Sequence, residues 1–577
     1  MLRLKARQRA ASAVPSWRIV MSLRAPLMYS IPEETARVAR AAFPKGNPYM
    51  RMYDELGPIY TNPMVAHLFP NDGQPAEDPA RLALVLIMAF AEGLSDRQAA
   101  DGVRSRIDWK FALALPLDDP GFDASVLSEF RSRLINGNSE HLLFDTLLDH
   151  LREHNLVKPG GRQRTDSTHV LAAIHVLNRL ECIGETLRHA LNTLATLAPD
   201  WLRAWVPSVW FDRYSQRVDE YRLPPGKPER YALAEQIGTD GLQLLNAIFA
   251  AATPPWLREV PAVLILQRVW LQQFYTPTAD GRVCWRTAED LPPAPLLISS
   301  PYDPDARYGK KRATQWTGYK VHLSETCDDE TPNLLTDITT TPATTTDFAA
   351  LPEIQETLAA RDLIPSEHIV DAGYMSADHL LTSQCEHGID LIGPVAEDQS
   401  WQAQAGEGFA AAQFVIDWEA QQATCPQGRS SVWWQARQDR DGHAAIYIKF
   451  AQQDCRLCPV RPQCTRSVSQ SRRLVVRDRE HYEALQAARQ RQQQEIYKAA
   501  YAQRAGIEGT ISQGVHTGDL RRSRYIGFPK TRLMHLLLGA ALNFMRVAAW
   551  LAETPRSRTR LPAFAALGKS MQLAATG

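Results

Sequence analysis

The segment "RQRTDSTHVLA" (162–172) is short and hydroxyl-rich with β-branched residues, and helical texture fills residues 173–292 before strand signals return. That spacing constrains the fold more than any other feature. A strand must find partners for its backbone groups, and here they lie far along the chain. Residues 173–292 are rich in Leu, Ala and Trp, with Pro breaks at 224–228 and 254–255. Strands resume at "TGYKVHLSET" (317–326), where Tyr319, Val321 and Leu323 alternate with polar residues. "NLLTDITTTPAT" (333–344) is its antiparallel partner across the acidic turn "CDDETP". Asp347 caps an amphipathic helix over 347–363, with Leu351, Ile354 and Leu358 on one face. "HIVDAGYM" (368–375) is a strand, "SADHLLTSQCEHG" a helix and "IDLIGPV" a strand. The fold class is α/β: a mixed sheet with a large helical insertion after its first strand.

Upstream, residues 31–150 read as helices in a compact bundle. Gly93 breaks one helical pattern, Ser95 N-caps the next, and Val126, Phe130 and Leu134 share a face. Two apolar runs invite a membrane reading. "LALVLIMAFA" (82–91) is too short to span a bilayer. "LMHLLLGAALNFMRVAAWLA" (533–552) is long enough but carries His535, Asn543 and Arg546, which marks a buried core helix.

The 577 residues carry 64 Lys+Arg and 64 Asp+Glu, so the chain as a whole is neutral. The charge is uneven. Residues 1–24 have six Arg/Lys and no acid, residues 455–491 nine Arg against three acids, and residues 501–550 seven Arg/Lys against two. Such segments suit a polyanion or a solvated face. The first 30 residues lack the apolar core of a signal peptide and read as a basic, disordered leader, with Met21 or Met28 as alternative starts. No G-x4-G-K-[ST] loop is present, so the sequence gives no support for a nucleotide cofactor.

Three carboxylates stand out. Asp166 sits within the first strand. Asp371 ends the strand "IVD", with Gly373 allowing a sharp exit, and the tips of α/β strands are where ligand-binding groups collect. Glu508 lies in "YAQRAGIEGTISQG", where Tyr501, Arg504 and Glu508 fall at i, i+3 and i+7 of one helix face; Gly506 and Gly509 leave room for a close neighbour. Acids on three elements can hold two Mg²⁺ (or Mn²⁺) ions for in-line phosphoryl transfer, with Arg504 clamping a phosphate. Taken one at a time, each acid is equally a surface group or a cap, and spacing alone does not join them.

Together these motifs resemble the DDE transposases of bacterial insertion sequences, in the branch with a Tyr-x2-Arg-x3-Glu-x6-Lys signature. Tyr501, Arg504 and Glu508 match its first three positions, "RTDSTHV" the first-Asp motif and "VDAGYMS" the second. "RSRYIGFPKTRLMHLLLGAALNFMR" (522–546) resembles the segment after the Glu, and "GLSDRQAADGVRSRIDWKFAL" with "VLSEFRSRL" the shared N-terminal domain. The resemblance runs from about residue 31 to 552 and is weakest over the insertion. It implies an RNase H-like catalytic core with Asp166, Asp371 and Glu508 as Mg²⁺ ligands, and a cytoplasmic, nucleoid-associated bacterial protein. Its partners would be double-stranded DNA, as terminal inverted repeats and target, and further copies of itself on that DNA. The chain departs from the signature at Val515, where the branch has a DNA-contacting Lys; His516, Arg521, Arg522 and Lys530 are candidate substitutes. Arg521, Arg522, Arg524 and Lys530 are the expected phosphate contacts beside Tyr501 and Arg504.

Four of the eight cysteines crowd together as C-x29-C-x2-C-x5-C: Cys425, Cys455, Cys458 and Cys464. Four thiolates suit a closed structural Zn²⁺ site; an iron–sulfur centre and unmetallated thiols are the alternatives. Crowding also argues for a reducing compartment. Cys182, Cys284, Cys327 and Cys385 read as ordinary buried thiols. Trp201, Trp205, Trp210, Trp256, Trp270 and Trp285 in the insertion read as core, with stacking on unpaired bases as the functional alternative.

The expected domains are a leader (1–30), a DNA-binding helical domain (31–150), a split catalytic core (160–172, 296–400, 476–552), the insertion (173–295), a zinc segment (401–475) and a tail (553–577). The expected function is DNA cleavage at the element's ends and joining to target DNA. A decayed zinc-containing DNA-binding protein and a nuclease that cuts without joining are the rival readings.

Overall fold

The computed structural model describes residues 21–22, 29–70, 74–218, 223–276, 282–404, 406, 408–440 and 442–555. Most of the leader and most of the tail lie outside the described residues. The chain divides into two units, residues 1–147 and 148–577.

The first unit is helical. Asn47 and Asp78 cap the helices Pro48–Leu56 and Pro79–Ala91, and each has Pro at its first position, where no N–H is needed. Ser95 and Gln98 form a reciprocal capping box at Asp96–Ser105. Trp109, Phe111, Phe130, Leu86, Ile87 and Met88 are fully buried among these helices. On Ser125–Asn136 the buried apolar side chains are Leu127, Phe130 and Leu134, with Val126 only half-buried.

The second unit is built on a six-stranded sheet. Its strands are β1 (Arg162–Leu171), β2 (Arg307–Lys311), β3 (Thr314–Thr326), β4 (Leu335–Pro342), β5 (Glu367–Val370) and β6 (Asp390–Ile392). Strand β3 pairs antiparallel with β1, β2 and β4; β1 pairs parallel with β5, and β5 parallel with β6. The sheet is mixed because helices make the returns. In chain order α1 (Arg179–Leu197), α2 (Lys227–Phe249) and α3 (Pro261–Gln273) fill the insertion, α4 (Asp347–Ala360) links β4 to β5, and α5 (Ala377–His387) links β5 to β6. Strand β3 is buried continuously from Trp316 onward, on both faces rather than in the half-buried alternation its sequence suggests.

Two further details of the sheet region differ from the sequence reading. The strand β2 is missed there, because "RYGKK" is charged and has no apolar period. Asp347 is not the cap of α4: the Thr346 hydroxyl accepts from the Ala349 amide, and Asp347 turns elsewhere.

The insertion has its own core, with Ile183, Leu187, Leu244 and Val263 at its centre. Trp210 and Trp270 are buried in it, Trp201, Trp205 and Trp285 pack against it, and Trp256 is exposed. The cysteine-rich segment carries a separate three-stranded antiparallel sheet: β7 (Ser431–Gln438), β8 (Ala444–Phe450) and β9 (Arg473–Arg477). Of the isolated thiols, Cys182 and Cys327 are buried. Cys284 is half-buried and Cys385 exposed, against the expectation for both.

Four further helices complete the unit: α6 (Arg479–Arg491), α7 (Glu495–Ala502), α8 (Ala505–Gly518) and α9 (Phe528–Leu551). Helix α9 is apolar enough to span a bilayer by composition, yet 78% of its apolar window is buried within the fold. His535, Asn543 and Arg546 each meet the sheet. His535 Nδ1 lies 2.8 Å from Thr340 Oγ1, and Arg546 donates to Glu325 Oε2 at 2.8 Å. Asn543 accepts from the Leu335 amide and donates to its carbonyl, both at 2.8 Å, so a side chain continues the sheet's ladder. Asn543→Leu leaves both backbone groups buried and unpaired, at about 1–3 kcal/mol each. Urea unfolding should show a loss of roughly 2–6 kcal/mol; an unchanged midpoint would contradict the pairing.

Candidate active site

Register brings two of the three acids together. In the parallel pairing of β1 with β5, Thr165 lies opposite Val370, so the next residues, Asp166 and Asp371, stand side by side. Neighbouring strands are about 4.8 Å apart. Asp371 is fixed by the Gly373 amide, which donates to its Oδ1 at 2.8 Å. A Cβ at Gly373 would come within 3.0 Å of that oxygen and 3.1 Å of Asp347 Oδ2, so glycine lets the turn pass between two carboxylates.

Glu508 arrives from the far end of the chain. The guanidinium of Arg504 donates to Asp166 Oδ2 at 2.8 Å and to Glu508 Oε1 at 2.7 Å. One cation thus bridges acids that are 342 positions apart in sequence. Burial opposes the Arg504 charge, but Asp166 and Glu508 outweigh it and raise its pKa. Tyr501 lies in the same field, beside Asp371 and Arg504, with its hydroxyl pKa raised chiefly by burial.

Tyr501, Arg504 and Glu508 do not share one continuous helix. Helix α7 ends at Ala502, α8 begins at Ala505, and Arg504 sits in the junction. Arg164 packs against this junction. Its Nη1 donates to the Gln503 carbonyl at 2.6 Å, and the same oxygen accepts from the Gly506 amide at 3.1 Å. Its guanidinium lies where a Cβ on Gly506 would be, 2.0 Å from Nη1. Gly506 is therefore required by close packing, whereas Gly509 faces open space. Arg164 is itself held by Glu325, which is fully buried, at 2.6 Å. Thr510 and Arg546 also donate to Glu325, so one carboxylate ties β1, β3, α8 and α9 together.

The opposite face of β1 carries a network the sequence reading missed. Ser167 donates to Asp347 Oδ1 at 2.8 Å, and Lys320 and Lys311 approach the same carboxylate at 3.2 and 3.1 Å. Burial would raise the Asp347 carboxyl, but the two lysines and Ser167 hold it below the usual range. His322, pushed down to about 4 by burial, pairs with the Tyr374 hydroxyl at 2.7 Å. The only sequence signal for Asp347 was its place in a capping motif that Thr346 fills.

The four expected phosphate contacts, Arg521, Arg522, Arg524 and Lys530, are all exposed. Arg521 donates to Thr168 Oγ1 at 2.8 Å, and its carbonyl accepts from Leu171, so this basic segment runs along the end of β1. Thr168 is two residues from Asp166 and on the same face of the strand.

The four clustered cysteines all line one small cavity of about 40 Å³. The Arg429 amide points at Cys425 Sγ, 3.4 Å away. Burial pushes the Cys464 thiol up to about 11; Arg472 opposes this, and the other three cysteines add to it. Among the described residues, no group of three or more His, Cys, Asp or Glu side chains is set to hold a metal ion, at the carboxylates or at the cysteines.

Residues 424–548 match the family described as Transposase DDE domain, and residues 37–133 that described as Transposase domain (DUF772). These matches indicate an insertion-sequence DDE transposase with an N-terminal transposase domain. The first match includes the cysteine cluster, Tyr501, Arg504 and Glu508; it begins after Asp166 and Asp371. No curated protein and no solved structure gives a match. A DDE transposase domain implies an enzyme that processes DNA with divalent metal ions, and the mixed sheet with its helical N-terminal unit is consistent with a DDE nuclease fold.

Electrostatics at Asp166 yield a stability prediction. Burial raises its carboxyl pKa; the Ser167 amide opposes this, Asp371 adds to it, and Arg504 and Lys311 oppose it. A raised folded pKa means that the folded chain holds this proton to higher pH than the unfolded chain does. At acid pH both states are protonated and nothing is lost; stability falls as pH rises through the folded pKa and stays lower above it. Metal-free Asp166→Asn should therefore melt higher than wild type at neutral pH, with the gain vanishing near about pH 3. Thermal melts at both pH values test this, and a gain that survives in acid would contradict it.

Proposed function

We propose that the chain binds the inverted repeats of its own insertion sequence, cuts at the element's ends and joins them to target DNA. An RNase H-like core would do this with Asp166, Asp371 and Glu508 as one site. The observation that carries the reading is the Arg504 bridge between Asp166 and Glu508, with Asp371 beside Asp166 in register. The donor set fits Mg²⁺ or Mn²⁺: carboxylate oxygens, crowded so that Asp371 disfavours the charged form of Asp166 and drawn in here by a guanidinium. When bound, a pair of such ions supplies Lewis acidity at the phosphate and lowers the pKa of the attacking hydroxyl group.

The chain's own groups do the rest. β1 and β5 fix the two Asp carboxylates on a rigid sheet, and α8 presents Glu508 in its first turn. Arg504, released from Asp166, and Tyr501 would orient the scissile phosphate. Water attack breaks the P–O3′ bond and leaves a 3′-OH and a 5′-phosphate. The 3′-OH then attacks a target phosphodiester and displaces its 3′ oxygen. Arg521, Arg522, Arg524 and Lys530 would hold flanking phosphates, the 31–150 domain would add DNA contacts, and several copies would assemble on the two ends.

Asp166→Asn, Asp371→Asn and Glu508→Gln preserve shape and remove one negative ligand each. Each should abolish cleavage and joining on a repeat-ended duplex and leave binding within a few-fold of wild type; the losses should not add, because an incomplete site is already inactive. Strand transfer near the wild-type rate in any one variant would remove that residue from the site.

Cys425, Cys455, Cys458 and Cys464 would hold one structural Zn²⁺. Four soft donors around a cavity with room for a single ion fit that group, and four Cys leave no open position for catalysis. Elemental analysis should find about one zinc per chain, and chelation should lower the melting temperature. A zinc-free protein that melts identically with and without chelator would contradict the assignment.

A further inference from the structure

The β2–β3 hairpin ends in three consecutive cations, Lys310, Lys311 and Arg312, all exposed. The hairpin does not run straight. Gly318 has φ +153°, and a Cβ there would lie 2.2 Å from the Val170 carbonyl oxygen. The consequence is visible in the lysines. Lys311 pairs with Thr314, which is six residues from Lys320, a span of about 20 Å along a straight strand. Yet both ammonium groups lie within 3.2 Å of Asp347. The tip therefore folds back toward Asp347, which lies across Gly373 from Asp371.

Two lysines share the single negative charge of Asp347. Lys320, nearly buried, and Ser167 both donate to its Oδ1, at 3.2 and 2.8 Å, and Lys320 also donates to the Thr345 carbonyl at 2.7 Å. Lys311 donates to Oδ2 at 3.1 Å with its side chain 49% exposed, and it is the cation in excess of that one charge. Among the described residues, Lys310 and Arg312 form no ion pair. Arg312 also holds φ +57° in the two-residue turn, a conformation that glycine adopts without strain. Three like charges and a strained turn do nothing for stability in isolation; next to a cluster of acids that acts on a polyanion they have a use.

We infer that this hairpin tip is a phosphate clamp for the DNA strand entering the site, with Lys311 as a positioning residue that moves from Asp347 to a backbone phosphate. The inference rests on the proposed DNA reaction.

The test uses the full chain and a duplex bearing the terminal repeat found beside the gene. For wild type, Lys310→Gln/Arg312→Gln, and the triple variant with Lys311→Gln, binding is measured from about 50 to 200 mM salt, and cutting is measured at saturating protein. The double variant leaves the Asp347 pairs intact, so its fold is not at risk. The log–log salt slope should fall by about 0.9 per lost contact, so by roughly two in the double and three in the triple variant. Cutting should drop at least about tenfold when Lys311 is lost, and Lys311→Arg should restore it, because either cation holds a phosphate. Slopes and cutting equal to wild type in both variants would overturn the clamp while leaving the transposase reading intact. Absence of DNA binding by wild type would overturn both.

Discussion

Glu325 is a fully buried carboxylate between two arginines, and the geometry of the site depends on it. Arg164 reaches it along the sheet and Arg546 from helix α9, while Thr510 reaches it from the helix that carries Glu508. Breaking such a buried cluster by removing one partner costs on the order of 3–5 kcal/mol, because an unpaired charge remains. The same cluster sets a distance. Arg164 presses against Gly506 and donates to the Gln503 carbonyl, at the junction from which Arg504 reaches Asp166. A structural ion cluster on one pleat of β1 thus positions the acid on the next.

The acids themselves work against stability. Asp166 and Asp371 share a register position, and Asp347 lies across Gly373 from Asp371. Like charges this close persist only where a cation answers them. Arg504 answers Asp166 and Glu508, and Lys320 answers Asp347. Among the described residues, the Gly373 amide is the one hydrogen-bond donor to the Asp371 carboxylate. Crowded acids of this kind are the setting in which a bound cation would complete the charge, as the proposed site requires.

Much of the sheet was legible because its strands carry local signals: β-branched runs, an acidic turn, a glycine exit after Asp371. Helix α9 was legible as a core helix for a physical reason. His535, Asn543 and Arg546 would be costly in lipid, and each has a partner on the sheet. What was illegible depends on contacts across the chain. The break at Gln503–Arg504 is met by Arg164, 339 residues away, which donates to the Gln503 carbonyl. Asp347 reads as a cap until Thr346 is seen to take that role. The edge strand "RYGKK" has no apolar rhythm because its tip is exposed, and the fold of that tip is set by a kink at Gly318 that no local pattern announces.

The central claim is that residues around 166, 371 and 508 converge on one divalent-metal site. Fe²⁺ in place of Mg²⁺, with ascorbate and peroxide, generates hydroxyl radicals where the ion binds and cuts the nearby backbone. The account predicts cuts in three separate segments, next to Asp166, Asp371 and Arg504–Glu508, that appear together and disappear together on adding excess Mg²⁺. Cuts confined to one of these segments, or only to the cysteine cluster, would contradict it.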